Sequence, residues 1–314
     1  MRVVFMGTPD FAVSSLKNLL KDAYEVAAVV TQPDRPKGRG NKIQISPVKE
    51  AAVKAGLKVY QPDKVRDPAF INTLTSLNPD IIVVAAFGQL LPPAILSLPH
   101  YGCVNVHASL LPAYRGAAPI HRAVINGEQE TGVTIMQMDK GLDTGDILLQ
   151  EQITIGPEDT VGYIHDRLAE LGARLLTKAL NLIRQGLIYP EPQQESKSTY
   201  ATMLTKKDEL ICWPMDALAV KNQIRGLNPW PGAHTYINDK LLKIWRVSIV
   251  DYIGHKEAVP GQLLECSPEK GILVQTGSGV VSIDELQLQG KKTMEAGDFL
   301  RGRNLASRTI LGEK

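Results

Sequence analysis

Apolar residues along the first two thirds of the chain form two kinds of pattern in turn. Short, nearly continuous apolar runs predict strands buried on both faces, as in parallel sheets. Between them, apolar residues recur every three or four positions, which predicts amphipathic helices. This alternation, opened by a strand, a glycine turn and a helix, indicates a Rossmann-like, doubly wound α/β domain. The predicted strands cover residues 3–6, 26–30, 57–60, 80–86, 102–107, 132–138 and 147–155, and the predicted helices cover 11–20, 47–55, 68–76, 117–125 and 160–185.

The pattern changes beyond residue 188. Residues 189–204 are rich in Pro, Gln, Glu and Ser and show little periodicity, which is typical of a linker. A helix over about 215–227 follows, and short strands then recur between turns. This spacing predicts a small antiparallel β-barrel, so we expect an α/β domain over 1–188, the linker, and a barrel domain over 205–314. The predicted barrel strands are 235–237, 241–250, 261–265, 272–275 and 280–288.

Composition fits two globular domains and excludes a polycation. The chain has 314 residues, of which 44% are hydrophobic and 22% are charged. These values are ordinary for globular proteins. Lys and Arg number 35 against 33 Asp and Glu, which gives a net charge of +2. A nucleic-acid-binding surface would therefore depend on local clusters of positive charge, because attraction to phosphates needs concentrated charge.

The cysteines and the start of the chain bear on location. Cys103, Cys212 and Cys266 are far apart, odd in number and without metal-ligand spacing. This usage favours a reducing cytoplasm, without disulfides or a bound metal. The first strand is expected directly after Met1 and Arg2, which leaves no room for a leader peptide. No apolar run is long enough to span a bilayer, so no membrane partner is expected.

The strand over 102–107 places two chemically useful side chains together. Side chains two apart in a strand point to the same face, so Asn105 and His107 share one side and Val104 and Val106 the other. An amide and an imidazole at a strand end can act on one substrate atom. The spacing alone leaves an alternative open, in which both are structural residues at a turn.

Two glycine turns invite other interpretations that their residues do not favour. The turn at Gly7 lacks the G-x-G-x-x-G spacing, and Pro9 removes a backbone donor, so an NAD-dependent dehydrogenase is disfavoured. The acidic loop over 139–146 lacks the oxygen spacing of an EF-hand, which argues against calcium.

Residues 31–42 combine Pro and Gly with four basic residues and one acid, and have no apolar anchor. This composition predicts a long, mobile surface loop. Such a loop is either simply solvated or able to close over an anionic partner and become ordered on contact.

Several motifs together resemble those of one family. They are G-T-P-D-F over 7–11, H-A-S-L-L-P over 107–112, Y-R-G over 114–116 and G-L-D-T-G over 141–145. On these residues the chain resembles the folate-dependent formyltransferases, and within them the methionyl-tRNA formyltransferases, over essentially its full length. The barrel and the segment N-P-W-P-G-A over 228–233 resemble the OB-like C-terminal domain of that family. The loop over 31–42 resembles its tRNA-binding insertion loop, with Arg39 at the matching arginine.

The resemblance implies transfer of a formyl group from 10-formyltetrahydrofolate, a co-substrate, to the α-amino group of initiator methionyl-tRNA, without a metal. Asn105 and His107 are candidate donors to the formyl oxygen, which gains negative charge in the transition state. Asp143 is expected to orient and charge His107 and to relay the proton of the amine. The candidate folate-binding residues are Phe87, Gly88, Leu90, Ser109, Leu110, Leu111 and Pro112. The candidate tRNA-binding residues are Lys37, Arg39, Lys42, Lys206 and Lys207.

Alternative functions stay open at this point. A formyltransferase acting on glycinamide ribonucleotide or on a nucleotide-linked amino sugar would share the three catalytic residues, but would not need both the basic loop and the barrel. A folate-dependent hydrolase would have a different appended domain. A catalytically inactive RNA-binding protein would have no use for the three residues. Direct transfer needs no covalent intermediate, so Cys103 is assigned no catalytic role. The protein is expected to be a monomer.

Overall fold

The structure of the chain, a computed structural model, describes residues 1–37, 42–252, 257–269, 271–303, 305–306 and 308–312. These residues form two compact units, each discontinuous in sequence. The N-terminal unit contains the described parts of Met1–Pro119, Glu130–Thr154 and His165–Ala201, and the C-terminal unit those of Ile120–Gln129, Ile155–Ile164 and Thr202–Lys314. Each unit is a set of residues that pack together, not a continuous stretch of chain. The domain boundaries at 188 and 205 therefore stay a prediction.

Most strands of the N-terminal unit join one sheet. The strands are β1 (Arg2–Gly7), β2 (Glu25–Val30), β3 (Arg35–Lys37), β4 (Lys42–Gln44), β5 (Val59–Tyr60), β6 (Ile81–Ala85), β7 (Cys103–His107), β8 (Arg115–Gly116), β9 (Glu130–Gln137), β10 (Ile147–Thr154) and β11 (Tyr200–Ala201). Seven of them form the sheet in the order β10-β9-β7-β6-β1-β2-β5. The five strands from β7 to β5 are parallel, and β9 and β10 add to the β7 edge in antiparallel fashion.

The strand order predicts a crevice at one edge of this sheet. From β1 the chain proceeds to β2 and β5 on one side, and it then returns to β6 and β7 on the other. Such a reversal opens a crevice outside the carboxyl ends of the strands on either side of it. The segments that follow β1, β6 and β7 all begin at this edge. They contain Thr8, Phe87 and Ser109 respectively, so the predicted site segments converge there.

Helices connect these strands. They are α1 (Asp10–Lys21), α2 (Pro47–Lys54), α3 (Pro68–Leu77), α4 (Pro93–Leu96), α5 (Pro119–Ile125) and α6 (Val161–Gln185). Local sequence explains their starts, as in α2, where the Ser46 side chain accepts a hydrogen bond from the backbone N–H of Lys49. Glycine at position 7 lets α1 approach the sheet, because a Cβ there would lie 2.8 Å from Ala12 Cβ and 3.0 Å from the Ala85 carbonyl oxygen.

The C-terminal unit is built around a second, antiparallel sheet. Its elements after residue 202 are α7 (Lys206–Glu209), α8 (Ala217–Gly226), β12 (His234–Ile237), β13 (Lys240–Val250), β14 (Leu263–Ser267), β15 (Gly271–Gln275), β16 (Val280–Leu288), β17 (Met294–Glu295) and α9 (Ala296–Arg301). The strand order is β12-β13-β16-β15-β14, with β17 on β16. Single bridges join Gly312 to Tyr236 of β12 and Ile310 to Gln262, the residue before β14, so the segment 310–312 lies between the two outer strands and makes the sheet barrel-like.

The predicted fold class, a Rossmann-like α/β domain followed by a small OB-like barrel, is confirmed. The structure adds elements that the sequence did not predict. The predicted loop over 31–42 contains β3 and the first residue of β4, and these two strands pair with each other. Residues 38–41 lie outside the described residues. The segment predicted as a linker contains β11, which pairs in parallel with β8. None of the helices within the described ranges combines the length and apolarity needed to cross a membrane.

Candidate active site

The end of β7 brings together the three residues predicted to be catalytic. Asp143 Oδ1 lies 3.5 Å from Asn105 Nδ2, and Asp143 Oδ2 lies 3.7 Å from His107 Nδ1. The imidazole is 6% exposed and the carboxylate 14%, whereas Asn105 is half-buried. An amide, an imidazole and a carboxylate therefore share one small region at the crevice edge. Their catalytic roles stay a prediction.

Both ring nitrogens of His107 face an oxygen atom. Its Nε2 lies 3.0 Å from the carbonyl oxygen of Tyr114. Because a carbonyl oxygen only accepts hydrogen bonds, Nε2 carries a proton, and Nδ1 is the atom that faces Asp143. The ring is thus hydrogen-bonded to the backbone at Nε2, and its Nδ1 faces the Asp143 carboxylate 3.7 Å away.

The loop that carries Asp143 is held in an unusual conformation. Asp143 has φ +54°, a region that residues other than glycine seldom adopt. Asp139 closes the loop by accepting hydrogen bonds from the Gly141 N–H at 2.9 Å and from Thr144 Oγ1 at 2.7 Å. Gly145 allows the loop to lie against β9, because a Cβ there would come within 1.8 Å of the Gln137 carbonyl oxygen.

Asp143 is also fixed by contacts from elsewhere in the N-terminal unit. The N–H of Gly116 donates to Asp143 Oδ2 at 2.8 Å. The side-chain nitrogen of Gln193 donates to the carbonyl oxygens of Asp143 and Gly145, at 2.8 and 2.7 Å. Sequence reasoning missed Gln193, which lies in the segment predicted as a linker.

The side chain of Arg115 supports Gln193 from behind. This arginine is 1% exposed, and its Nε and Nη2 lie 3.1 and 2.9 Å from Gln193 Oε1. Its Nη1 pairs with Glu195 at 2.8 Å. Arg115 is the arginine of the Y-R-G motif over 114–116, but nothing in the sequence predicts that an arginine in this position is fully buried.

The turn over 109–112 is braced by polar side chains from β9 and β10. Ser109 Oγ donates to the Ala113 carbonyl oxygen at 2.6 Å. Thr134 accepts from the Leu111 N–H at 3.1 Å and donates to the Ser109 carbonyl oxygen at 2.7 Å, and Gln150 donates to the Leu111 carbonyl oxygen at 3.0 Å. Ser109 and Leu111 are buried, whereas Leu110 and Pro112 are half-buried. Sequence reasoning did not identify Thr134 or Gln150 as supports of this turn.

The segment after β6 contains the other predicted folate-binding residues. Phe87 is buried, and its carbonyl oxygen accepts from Thr8 Oγ1 at 3.1 Å and from Gln32 Nε2 at 3.2 Å. Leu90 is 72% exposed. Gly88 has φ +88°, and a Cβ there would meet only Gln32 Nε2, at 3.8 Å. The backbone at Gly88 is therefore open to close approach by a ligand.

The predicted tRNA-binding residues fall into two groups. Lys206 and Lys207 are exposed on α7, where Lys206 pairs with Glu209 at 2.9 Å. Arg39 lies outside the described residues, and the structure describes only the backbone of Lys37 and Lys42, in β3 and β4.

Cys103 lies on β7 but is fully buried. Burial raises the pKa of its thiol to about 12, so the reactive thiolate form is scarce at neutral pH. Within the described ranges, no group of three or more His, Cys, Asp or Glu side chains is placed to hold a metal ion.

Two protein-family models match most of this chain. The model of the formyl transferase family matches residues 1–180, and that of the formyl transferase C-terminal domain matches residues 203–304. The chain belongs to the formyl transferase family. This formyltransferase is 55% identical to a methionyl-tRNA formyltransferase of Pelotomaculum thermopropionicum, with 100% of the chain and 99% of the relative covered. It is 52% identical to one of Citrifermentans bemidjiense, with 100% and 97% covered.

Solved structures share the fold at low sequence identity. An N-formyltransferase from Helicobacter canadensis, in complex with folinic acid and dTDP-3-aminofucose, superposes with a TM-score of 0.62 at 21% identity and covers 90% of this chain and 98% of its own. HypX from Aquifex aeolicus in complex with tetrahydrofolic acid has a TM-score of 0.62 at 16% identity and covers 99% of this chain. The chain spans about half of the length of HypX, 51%.

Proposed function

We propose that this formyltransferase transfers the formyl group of 10-formyltetrahydrofolate to the α-amino group of initiator methionyl-tRNA, giving N-formylmethionyl-tRNA for translation initiation. The meeting of Asn105, His107 and Asp143 at the crevice edge carries the proposal, because it provides a donor and a proton-handling pair in one place. The relatives named methionyl-tRNA formyltransferase support the choice of substrate, since they match the chain from end to end at 55% and 52% identity.

Asn105 is the donor best placed for the formyl oxygen. When the amine attacks, the formyl carbon becomes tetrahedral and its oxygen gains negative charge, which a positioned donor stabilises by roughly a hundred- to a thousand-fold in rate. An amide nitrogen carries two hydrogens. With Asp143 Oδ1 3.5 Å from Nδ2 to orient the amide, the second hydrogen is available to a substrate oxygen.

His107 and Asp143 manage the proton of the amine. The attacking amine loses one proton, and the folate nitrogen that leaves the formyl carbon gains one. Asp143 Oδ2 lies 3.7 Å from His107 Nδ1, so its negative charge stabilises a proton on the ring during the transfer. Positioned acid–base groups of this kind contribute roughly a hundred- to ten-thousand-fold.

The segments after β6 and β7 fit a folate. A flat pterin ring needs apolar faces and an open approach to backbone, and Gly88 with the exposed Leu90 offers both. In the 109–112 turn, Leu110 and Pro112 are half-buried and therefore accessible in part to a ligand, while the buried Ser109 and Leu111 hold the turn in shape. The bound folate would supply the activated formyl group.

Basic residues of α7 and of the 31–42 loop are proposed to contact the tRNA. Lys206 and Lys207 are exposed, as phosphate contacts require. Lys37, Arg39 and Lys42 belong to the loop that resembles the family's tRNA-binding insertion. The proposed location is the cytoplasm, which the three free cysteines support.

The direct test is to incubate purified protein with 10-formyltetrahydrofolate and initiator tRNA charged with methionine, and to assay formyl-methionine after hydrolysis of the ester. Glycinamide ribonucleotide and a nucleotide-linked amino sugar serve as competing acceptors. We expect formylation of methionyl-tRNA only. Equal or faster formylation of either small acceptor would overturn the proposal in favour of the related enzymes.

Replacement of one arginine tests the proposed role of the basic loop. We expect Arg39→Ala to raise the KM for methionyl-tRNA several-fold, because one phosphate contact is lost, while the affinity for the folate stays unchanged. Arg184→Ala, an exposed arginine at the end of α6, is the matched control. Steady-state kinetics at fixed salt make the comparison, and equal tRNA kinetics in Arg39→Ala and the parent would mean that the loop is inert.

A further inference from the structure

The contacts of Gln193 point to a function that no sequence motif predicts. We propose that Gln193, held by Arg115, is a positioning residue that fixes the backbone of the Asp143 loop and so aims the Asp143 carboxylate at His107 and Asn105. This inference rests on the proposed function. It concerns how the catalytic carboxylate is held, and it assigns Gln193 no contact with substrate.

The side-chain amide of Gln193 clamps one turn of the loop at two points. Its nitrogen carries two hydrogens, and these are directed to the carbonyl oxygens of Asp143 and Gly145, at 2.8 and 2.7 Å. Both acceptors belong to the segment in which Asp143 adopts φ +54°. A residue in this conformation persists only where its surroundings hold it, and Gln193 supplies two of the bonds that do so.

Arg115 sets the orientation of that amide. A guanidinium only donates hydrogen bonds, so the Gln193 atom 3.1 and 2.9 Å from Arg115 Nε and Nη2 is the oxygen. The nitrogen then faces the loop. Because Arg115 is 1% exposed and also pairs with Glu195, it is not free to turn away. A side chain here must offer an acceptor on one side and two donors on the other, and among side chains of this length only glutamine does so.

Residues of strand β8 fix both the carboxylate and the backbone of Asp143. In β8, the N–H of Gly116 donates to the Asp143 carboxylate, and the neighbouring Arg115 side chain holds Gln193 against the Asp143 backbone. β8 in turn pairs with β11, and the Arg115 N–H donates to the Thr199 carbonyl oxygen at 2.9 Å. The segment predicted as a linker therefore contacts both β8 and the Asp143 loop, and so helps to fix the position of the catalytic carboxylate.

Gln193→Glu is the sharpest variant, because it keeps the acceptor for Arg115 but places an oxygen against two carbonyl oxygens. We expect kcat to fall by at least about tenfold, since a small displacement of a catalytic group has a large effect on rate. The KM for tRNA and the Kd for the folate should stay within about twofold of the parent. Gln194→Glu makes the same change at the adjacent, exposed residue and is the matched control.

Amide hydrogen exchange provides a readout that does not depend on activity. The peptide covering 139–146 should exchange faster in Gln193→Glu than in the parent or in Gln194→Glu, with the melting temperature of the protein within a few degrees of the parent. Where Gln193→Glu does not fold, Gln193→Met, which has similar length and lacks the hydrogen bonds, replaces it with the same expected results.

Two results would overturn the proposal that Gln193 positions the Asp143 loop. One is a folded Gln193 variant with the parent's kcat and the parent's exchange over 139–146. The other is a loss that falls wholly in KM. If the parent itself fails to formylate methionyl-tRNA, the proposed function is wrong, and the exchange measurement still decides whether Gln193 holds the loop.

Discussion

Asp143 shows how much of the site depends on single atoms. One oxygen of its carboxylate faces the Asn105 amide, and the other accepts from the Gly116 N–H beside the His107 ring. Asn105 and His107 both lie on β7, and Gly116 lies on β8. The carboxylate therefore faces both predicted catalytic partners, and its own placement is the feature that the surrounding residues stabilise.

Cysteine chemistry provides a test at the scale of the residue. Burial raises the pKa of Cys103 to about 12 and that of Cys266 to about 11, whereas Cys212 is exposed. With iodoacetamide at pH 8, we expect Cys212 to be alkylated first and Cys103 to remain unmodified, because the thiolate is the reactive form. Formylation activity should survive modification of Cys212.

Peptide mass spectrometry at intervals, with activity measured in parallel, makes this comparison. The same reaction in denaturant, where all three thiols should react, is the control. Loss of activity in step with alkylation of Cys103 in the native protein would contradict a purely structural role for this thiol.

At the scale of the element, the loops that carry the predicted site residues are held by close backbone contacts. The loop after β9 lies against that strand through Gly145, and the Gln137 N–H donates to the Asp146 carbonyl oxygen at 2.8 Å. Side chains reach the turn over 109–112 from β9 and β10. The rigid sheet thus fixes the position of segments that have no regular structure of their own.

Gly145→Ala should displace the Asp143 loop. Its Cβ would lie 1.8 Å from the Gln137 carbonyl oxygen, so the loop must move, which we expect to lower the unfolding free energy by about 1–3 kcal/mol and kcat by about tenfold or more. Thermal unfolding and single-turnover kinetics measure the two effects. In Gly302→Ala, where the nearest atom would be 3.9 Å away, neither should change, and a silent Gly145→Ala would argue against a tightly held loop.

Most strands and long helices were predictable because burial leaves a local pattern. β1 and β6 are apolar at nearly every position, since both of their faces are covered. The pair β3 and β4, the short helices α4, α7 and α9, and strand β11 were not predicted, because they are short and lack an apolar period. Gln193 was missed for a different reason. Its partners lie up to 78 residues away, so no local signal distinguishes it from its neighbours in a polar segment.

At the scale of the whole molecule, the units do not follow the sequence order. The stretch Ile120–Gln129 packs with the C-terminal unit, although the sequence places it in the first predicted domain. Within that unit Arg122 Nη1 pairs with Asp208 Oδ1 at 2.6 Å, and both side chains are about one fifth exposed. The expected monomeric state stays a prediction, which light scattering would test.

The Arg122–Asp208 pair should make the C-terminal unit sensitive to acid. The hydrogen bond from Arg122, helped by Thr205, lowers the pKa of Asp208 from 3.8 to about 2. A carboxyl group whose pKa is lower in the folded than in the unfolded protein stabilises the fold at pH values above its unfolded pKa. This stabilisation is lost as the pH falls toward the folded pKa. The relevant window is thus from 3.8 down to about 2.

Arg122→Met should lower the unfolding free energy near neutral pH by about 1 kcal/mol, because solvent screens part of the pair. It should also weaken the pH dependence in that window. Denaturant titrations over a pH series test both effects. Arg301→Met, which breaks an exposed pair with Asp298, is the control and should change stability by less than about 0.5 kcal/mol. Parallel pH curves for Arg122→Met and the parent would mean that the pair does not stabilise the fold.

The proposed roles of His107, Asn105 and Asp143 are tested by the single-turnover rate of formyl-methionyl-tRNA formation in the parent and in His107→Ala, Asn105→Ala and Asp143→Ala. We expect each loss to be roughly a hundred- to ten-thousand-fold, with folate binding and the melting temperature close to the parent's. His100→Ala, an exposed histidine next to Tyr101, should react at the parent's rate. A folded His107→Ala protein that formylates methionyl-tRNA within a few-fold of the parent's rate would contradict a catalytic role for His107.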